Sequence, residues 1–255
     1  SQQRMTDYAL LQIRRMRELY AAAVTLVDRN VGKVLDALEE TGELDNTFIL
    51  FTSDHGEMLG DHGCFQKMLP YDSCTRIPFV LRWPDRVKPG TVCDDFVDLN
   101  DVLPTILDAA GLSYPGRGAL PGSSLFGEGR DRSVQYIEHG AKERRWISLR
   151  ERRWKYNFYY GGAVEELFDL ANDPAETTNL LLEAGNRTDV CEARTRLRQR
   201  LFEIEKRWGL RDHMDARGPR SFPEPVPRSR RNGQFPRFPD AITDPEERRE
   251  LNDFG

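Results

Sequence analysis

The sequence predicts an α/β fold of helix-flanked strands, followed by a small antiparallel sheet with a terminal helix. Three observations carry that reading. Apolar residues at alternating steps of four and three mark a long helix before residue 41. A short, continuous apolar run at 47–52 follows it, the signature of a strand covered on both faces, as in a parallel sheet. After Gly111 the texture changes to short stretches in which aromatic and polar residues alternate.

The elements follow in order. Tyr20, Val24, Val27, Val31, Val34 and Leu38 stack on one face of a helix over 5–40, and Gly42 suits a left-handed cap. The strand at 47–52 opens into a polar, glycine-rich loop, and 77–83 forms a second strand ended by Pro84. Residues 98–110 read as a helix with Asp98 or Asn100 at its N-cap and Gly111 at its end. Short strands are expected at 133–138, 146–150, 154–160 and 167–170, with Glu151-Arg152-Arg153 as a hairpin turn. An amphipathic helix at 189–208 carries Leu197, Leu201 and Ile204 on one side. The expected organisation is therefore an α/β part at 1–112, an antiparallel subdomain at 113–210, and an extended Pro/Arg-rich tail at 211–255.

Composition excludes several classes. The 255 residues carry 37 basic and 42 acidic side chains, and interspersed charge argues against a dedicated nucleic-acid binder. No apolar run approaches the roughly 18 residues of a membrane span. The four cysteines, Cys64, Cys74, Cys93 and Cys191, form no zinc spacing and leave free thiols or two bridges open.

The chemistry concentrates in the loop after the first strand, Ser53-Asp54-His55-Gly56-Glu57 through Lys67. In open α/β sheets ligands bind beyond the carboxyl ends of strands. At such a strand end Asp54 and His55 can converge on one ion, and Gly56, Gly60 and Gly63 permit the tight path this needs. Lys67 adds a cation suited to an anionic group. An Asp-His-Gly tripeptide is also ordinary turn chemistry, so residue types alone leave both readings open.

The wider pattern is more specific. Ser53-Asp54-His55-Gly56-Glu57, Leu59-Gly60-Asp61-His62-Gly63, Lys67 and Arg76-Ile77-Pro78 stand in an order that closely resembles the sulfatase family of the alkaline phosphatase superfamily. The same register continues upstream in Val31-Gly32-Lys33-Val34-Leu35. Downstream it runs through Asp101-Val102-Leu103-Pro104-Thr105 and Glu166-Leu167-Phe168-Asp169-Leu170 to Asn172-Asp173-Pro174, covering roughly Tyr20 to Trp208.

The resemblance implies a fold and a set of roles. The first part would belong to a sulfatase-like mixed sheet flanked by helices. Asp54 and His55 match a pair that holds a divalent cation, most often Ca2+ with Mg2+ as the other candidate; an imidazole is a less typical Ca2+ ligand, and the alternative role of His55 is a hydrogen bond to the sulfate or the nucleophile. Lys67 matches the lysine that contacts the sulfate or the leaving oxygen. Arg76 reads as structural, paired with a carboxylate, and His62 as ordering the loop. His139 reads as a surface or packing residue, with reach to a substrate leaving group as the alternative, and Trp146, Trp154, Tyr156, Phe158 and Tyr160 read as sheet-face packing rather than a sugar platform.

One departure is decisive. The family nucleophile is a formylglycine made from Cys or Ser in a Cys/Ser-x-Pro/Ala-x-Arg motif, and no cysteine context here matches it. The chain resembles the C-terminal portion of a sulfatase, whose partners would be the nucleophile-bearing N-terminal segment and a sulfated small molecule or glycan. The 255 residues alone are expected to show no turnover. A phosphonate monoester or phosphodiester hydrolase of the same superfamily, or a non-catalytic sulfatase-like chain, are the competing readings.

Overall fold

The structure is a computed structural model that describes residues 7–84, 86–113, 116, 121–127 and 132–223. The first helix, α1 (Asp7–Glu40), is continuous over 34 residues, and Tyr20, Val24, Val27 and Val34 along it are exposed. It ends as its sequence dictates. Gly42 is left-handed at φ 71°, and the Glu43 amide reaches back to the Leu38 carbonyl at 2.8 Å.

Strand β1 (Ile49–Thr52) pairs with β2 (Phe79–Arg82), and here the structure corrects the sequence reading. The two strands run antiparallel, with Phe51 opposite Val80, and both of those side chains are exposed. A continuous apolar run records that both faces can be buried. It does not record the direction of the neighbouring strand, nor whether a covering layer is present.

A four-residue helix, α2 (Asp72–Thr75), sits between these strands in sequence. Helix α3 (Val102–Ala109) is entered through a 3-10 turn at Leu99–Asp101. Asp98 caps that turn by accepting the Asn100 amide, and Asp101 accepts the Asp98 amide in return, a reciprocal capping box.

The second part is an antiparallel meander, β3 (Gln135–His139), β4 (Trp146–Arg150), β5 (Trp154–Tyr159) and β6 (Val164–Asp169), in the order β3-β4-β5-β6. After the short α4 (Leu180–Glu183), helix α5 (Thr188–Trp208) lays Val190, Ala193, Leu197 and Leu201 against one sheet face. There they meet Ile147, Leu149, Tyr156, Phe158, Tyr160 and Leu167, all buried. Each large side chain buried this way contributes about 1.5–3 kcal/mol.

The opposite sheet face is buried as well, and it is polar. Lys155 and Asn157 are fully buried, Ser148 donates to Asn157 at 2.7 Å, and Glu166 accepts from Asn157, Tyr159 and Tyr71. This face carries the loop that follows β1.

Residues 211–223, expected to begin an extended tail, fold back instead. A 3-10 turn (Arg211–His213) leads into the two-residue strands β7 (Met214–Asp215) and β8 (Gly218–Pro219). Phe222 then packs beside Tyr160 and His213. These ring contacts, with backbone bonds from the Phe222 amide to the Tyr160 carbonyl and from the Gly162 amide to the Phe222 carbonyl, tie the segment to the end of β5. The rest of that tail, with Arg228-Ser229-Arg230-Arg231, lies outside the described residues. All four cysteines are free thiols.

Candidate active site

The site is built on the turn that ends β1. Gly56 donates its amide to the Cys74 carbonyl at 2.7 Å, and a Cβ at Gly56 would stand 2.0 Å from the Ser73 carbonyl oxygen. Only glycine lets the strand end lie against α2. Beyond it the loop holds four non-glycine residues at positive φ, namely Leu59 (48°), His62 (52°), Gln66 (67°) and Met68 (88°). Side-chain sterics disfavour this region, so the surroundings must hold it.

They do so through several bonds. The Met58 amide donates to the Gln66 carbonyl at 3.0 Å, and the Gln66 amide donates to the Glu57 carboxylate. Ser73 donates to Asp61 at 2.6 Å. His62 orders the loop as expected, its ring stacked on Tyr71 at 3.9 Å.

Asp54, His55 and Lys67 come together. His55 Nδ1 lies 2.7 Å from the Gly56 carbonyl oxygen, which can only accept, so that contact assigns the ring proton to Nδ1 and leaves Nε2 as an acceptor. Lys67 Nζ donates to Nε2 at 2.5 Å, and an Asp54 carboxylate oxygen stands 3.3 Å from the same nitrogen. A carboxylate, an imine nitrogen and an ammonium thus meet at one point.

That point opens into a cavity of about 710 Å3 whose far wall comes from the four-stranded sheet. His139 and Trp146, paired across β3 and β4, line it together with Lys67. Their rings lie 5.8 Å apart, and burial pushes the His139 imidazole below its ordinary pKa. Trp146 donates its indole N–H to the Met68 carbonyl at 2.8 Å. The expected packing roles of these two residues are therefore incomplete, because strand pairing brings both to the cavity. Trp154, Tyr156, Phe158 and Tyr160 pack the core as expected. Arg76 does not fit its expected role. It is exposed, and among the described residues no carboxylate pairs with it.

Sequence reading missed a buried ion cluster beneath the loop. Lys155 reaches Asp72 at 2.9 Å and Glu176 at 2.7 Å, Arg150 reaches Asp72 at 2.5 Å, and the Asp72 amide donates to Glu176 at 2.5 Å. A signal for it existed. Arg150 and Lys155 face one another across the predicted hairpin, and two cations so placed require an anion between them.

The site fits part of a metal centre. Among the described residues no cluster of three or more His, Cys, Asp or Glu side chains could hold an ion. Asp54 supplies one donor and the His55 lone pair a second once Lys67 gives up its bond there, whereas Ca2+ takes about six to eight oxygen ligands.

Comparison with known proteins supplies the class and then the family. A structure of a phosphonate monoester hydrolase from Silicibacter pomeroyi matches with a TM-score of 0.68 and 28% identity, over 84% of this chain and 46% of that one. A structure solved with its substrate D-glucosamine-2-N,6-O-disulfate matches with a TM-score of 0.66 and 31% identity, over 74% of this chain and 40% of that one. The fold is thus of the sulfatase and alkaline-phosphatase class.

The family models are those described as sulfatase, matching residues 1–112, and as N-sulphoglucosamine sulphohydrolase, C-terminal, matching 60–207. Similar curated proteins include an arylsulfatase from Clostridium perfringens, 36% identical over 66% of this chain and 36% of that protein. An N-acetylglucosamine-6-O-sulfatase from Bacteroides thetaiotaomicron is 34% identical over 74% of this chain and 35% of its own length. The chain belongs to the sulfatase family. It spans about a third of the length of these curated relatives.

Proposed function

We propose that the chain supplies the C-terminal half of a sulfate-ester hydrolase site, with Asp54 and His55 holding a divalent cation and Lys67 contacting the sulfate. The observation that carries this is the meeting of Asp54, His55 Nε2 and Lys67 Nζ at one mouth of the cavity. In this structure one Lys67 N–H is spent on the single lone pair of His55 Nε2; with a cation held there, Lys67 would give up that bond and its ammonium would be free to receive an anionic ester or the oxygen that departs with the alcohol. The fixed Nδ1 bond to Gly56 keeps the His55 lone pair aimed outward. A bound cation, most suitably Ca2+, would add positive charge beside the sulfate oxygens. The alcohol portion of the ester, from a small molecule or glycan, would extend into the cavity toward His139.

The formylglycine nucleophile and the remaining metal ligands are assigned to a partner segment, so this chain alone does not turn over. The exposed pair Phe51 and Val80 and the greater length of the relatives support such a partner. The test is to join the chain to the nucleophile-bearing segment of a relative and assay an aryl sulfate. Turnover that falls about 100- to 1,000-fold in Lys67→Met is expected. Turnover by the rigorously purified chain alone would sink the division of roles.

The likeness to phosphonate monoester hydrolases favours a second reading within the superfamily. The same assembled protein hydrolysing a phosphonate monoester faster than any sulfate ester would replace the first reading with that one.

A further inference from the structure

Lys67 is exposed, so packing does not fix its position and the backbone on either side must. Both neighbours are left-handed, Gln66 at φ 67° and Met68 at φ 88°. The Gln66 side of the loop anchors itself. The Gln66 carbonyl accepts from the Met58 amide and the Cys74 thiol, and the Gln66 amide binds Glu57.

The Met68 side has a different anchor. The Met68 side chain is exposed, and the Met68 carbonyl accepts from the indole of Trp146, 78 residues away in sequence. Trp146 is a stiff support, because it is 5% exposed and paired on both sides, with His139 of β3 and Tyr159 of β5. A buried indole N–H needs an acceptor, and it takes the carbonyl of the residue that follows Lys67.

We propose that Trp146 is a positioning residue for Lys67, its indole holding Met68 in the left-handed conformation that keeps Lys67 Nζ on His55. The functional weight of this inference rests on the reading of Lys67 as the substrate contact. Its geometry does not. Removing the indole N–H frees Met68 to return to negative φ, which turns the Lys67 backbone and withdraws its ammonium from Nε2.

The experiment is 15N NMR on the full chain labelled at its four histidines, at a pH where the imidazoles are neutral. His213, whose Nε2 accepts the Lys142 amide at 2.6 Å, reports that the fold is intact. In Trp146→Phe the His55 Nε2 resonance is expected to move downfield, toward its position in Lys67→Met, while His213 stays in place. Adding Met68→Gly to Trp146→Phe is expected to restore part of the shift, since glycine adopts φ 88° without the steric cost that drives methionine out of it.

An unmoved His55 resonance with an intact His213 signal overturns the inference, and so does a shift that Met68→Gly leaves unrestored. Should Trp146→Phe lose the His213 signal, the wild-type Trp146 indole proton decides. Slow exchange with solvent supports the bond, and exchange at the rate of a free indole overturns it. These readouts involve no sulfate, so a chain that passes them and never binds a sulfate ester would refute the functional reading alone.

Discussion

Lys155, at the centre of the four-stranded sheet, and Asp72, at the start of α2, are 83 residues apart in sequence and 2.9 Å apart in space. Around them Arg150 and Glu176 complete a cluster of two cations and two carboxylates. Burial pushes the Asp72 carboxyl up, but Lys155 and Arg150 outweigh it and hold the group below its ordinary value. For Glu176 burial wins, and its carboxyl is raised. The cluster joins the sheet to α2, and α2 carries the carbonyl that receives the Gly56 amide.

Lys155→Met should therefore be costly. It leaves Asp72 and Glu176 buried with only Arg150 opposite them, and breaking a buried pair by removing one partner costs about 3–5 kcal/mol. Urea denaturation of the variant measures this directly. A loss below about 1 kcal/mol would mean that the cluster is wet and contributes no more than a surface pair.

His213 gives stability a pH dependence of defined sign. Burial, followed by the nearby Arg145, pushes its imidazole below the ordinary value of 6.5. The unfolded chain takes up a proton near 6.5 and the folded chain only at lower pH. The contribution of His213 is thus fully present above 6.5 and lost as pH falls through the folded pKa. Gln at this position retains an acceptor for the Lys142 amide and does not titrate. The Tm of wild type relative to His213→Gln should fall between about pH 7 and about pH 5, and a difference constant over that range would exclude the effect.

Local pattern made much of this fold legible and left partners unstated. Alternation in Trp154–Tyr159 and the stripe of α5 report which side chains share a face, and the structure packs those faces together as expected. Gly42 and Asp98 are read from backbone chemistry that acts within a few residues. The direction of β1 depends on a neighbour at least 27 residues away, and no periodicity encodes it. Asp54, His55 and Lys67 were legible because one short loop carries all three. Trp146 was not, and His139 only as an alternative to packing, because the β3–β4 register is what brings them to the cavity. Lys155 reads as a solvent-facing residue in an alternating strand until Asp72 covers it.

Gly56→Ala tests how closely the strand end must approach α2. The added Cβ meets the Ser73 carbonyl oxygen at 2.0 Å and the Ser73 carbonyl carbon at 3.0 Å, both backbone atoms that no rotamer change can move. Overpacking of this kind costs about 1–3 kcal/mol. The shift should also pull His55 from Lys67, so loss of stability and a change in the His55 15N signal are expected together. An alanine variant of wild-type Tm with an unmoved His55 signal would show that the loop accommodates the methyl group.

Phe51 and Val80 offer the opposite case, apolar side chains whose replacement should cost the isolated chain little. They face one another across β1 and β2 and are 43% and 60% exposed. Threonine at both positions keeps a strand-forming side chain, so the stability of the chain should change by about 0.5 kcal/mol or less. Self-association should fall, because paired exposed apolar side chains on a short sheet attract other copies. Light scattering during concentration, read beside Tm, separates the two effects. On the proposed reading, the same substitutions in a protein joined to its nucleophile-bearing segment remove buried contacts and cost about 1.5–3 kcal/mol each. Equal, small costs in both forms would mean that the partner segment does not cover this sheet face. A large cost already in the isolated chain would mean that Phe51 and Val80 are buried in solution by the chain itself.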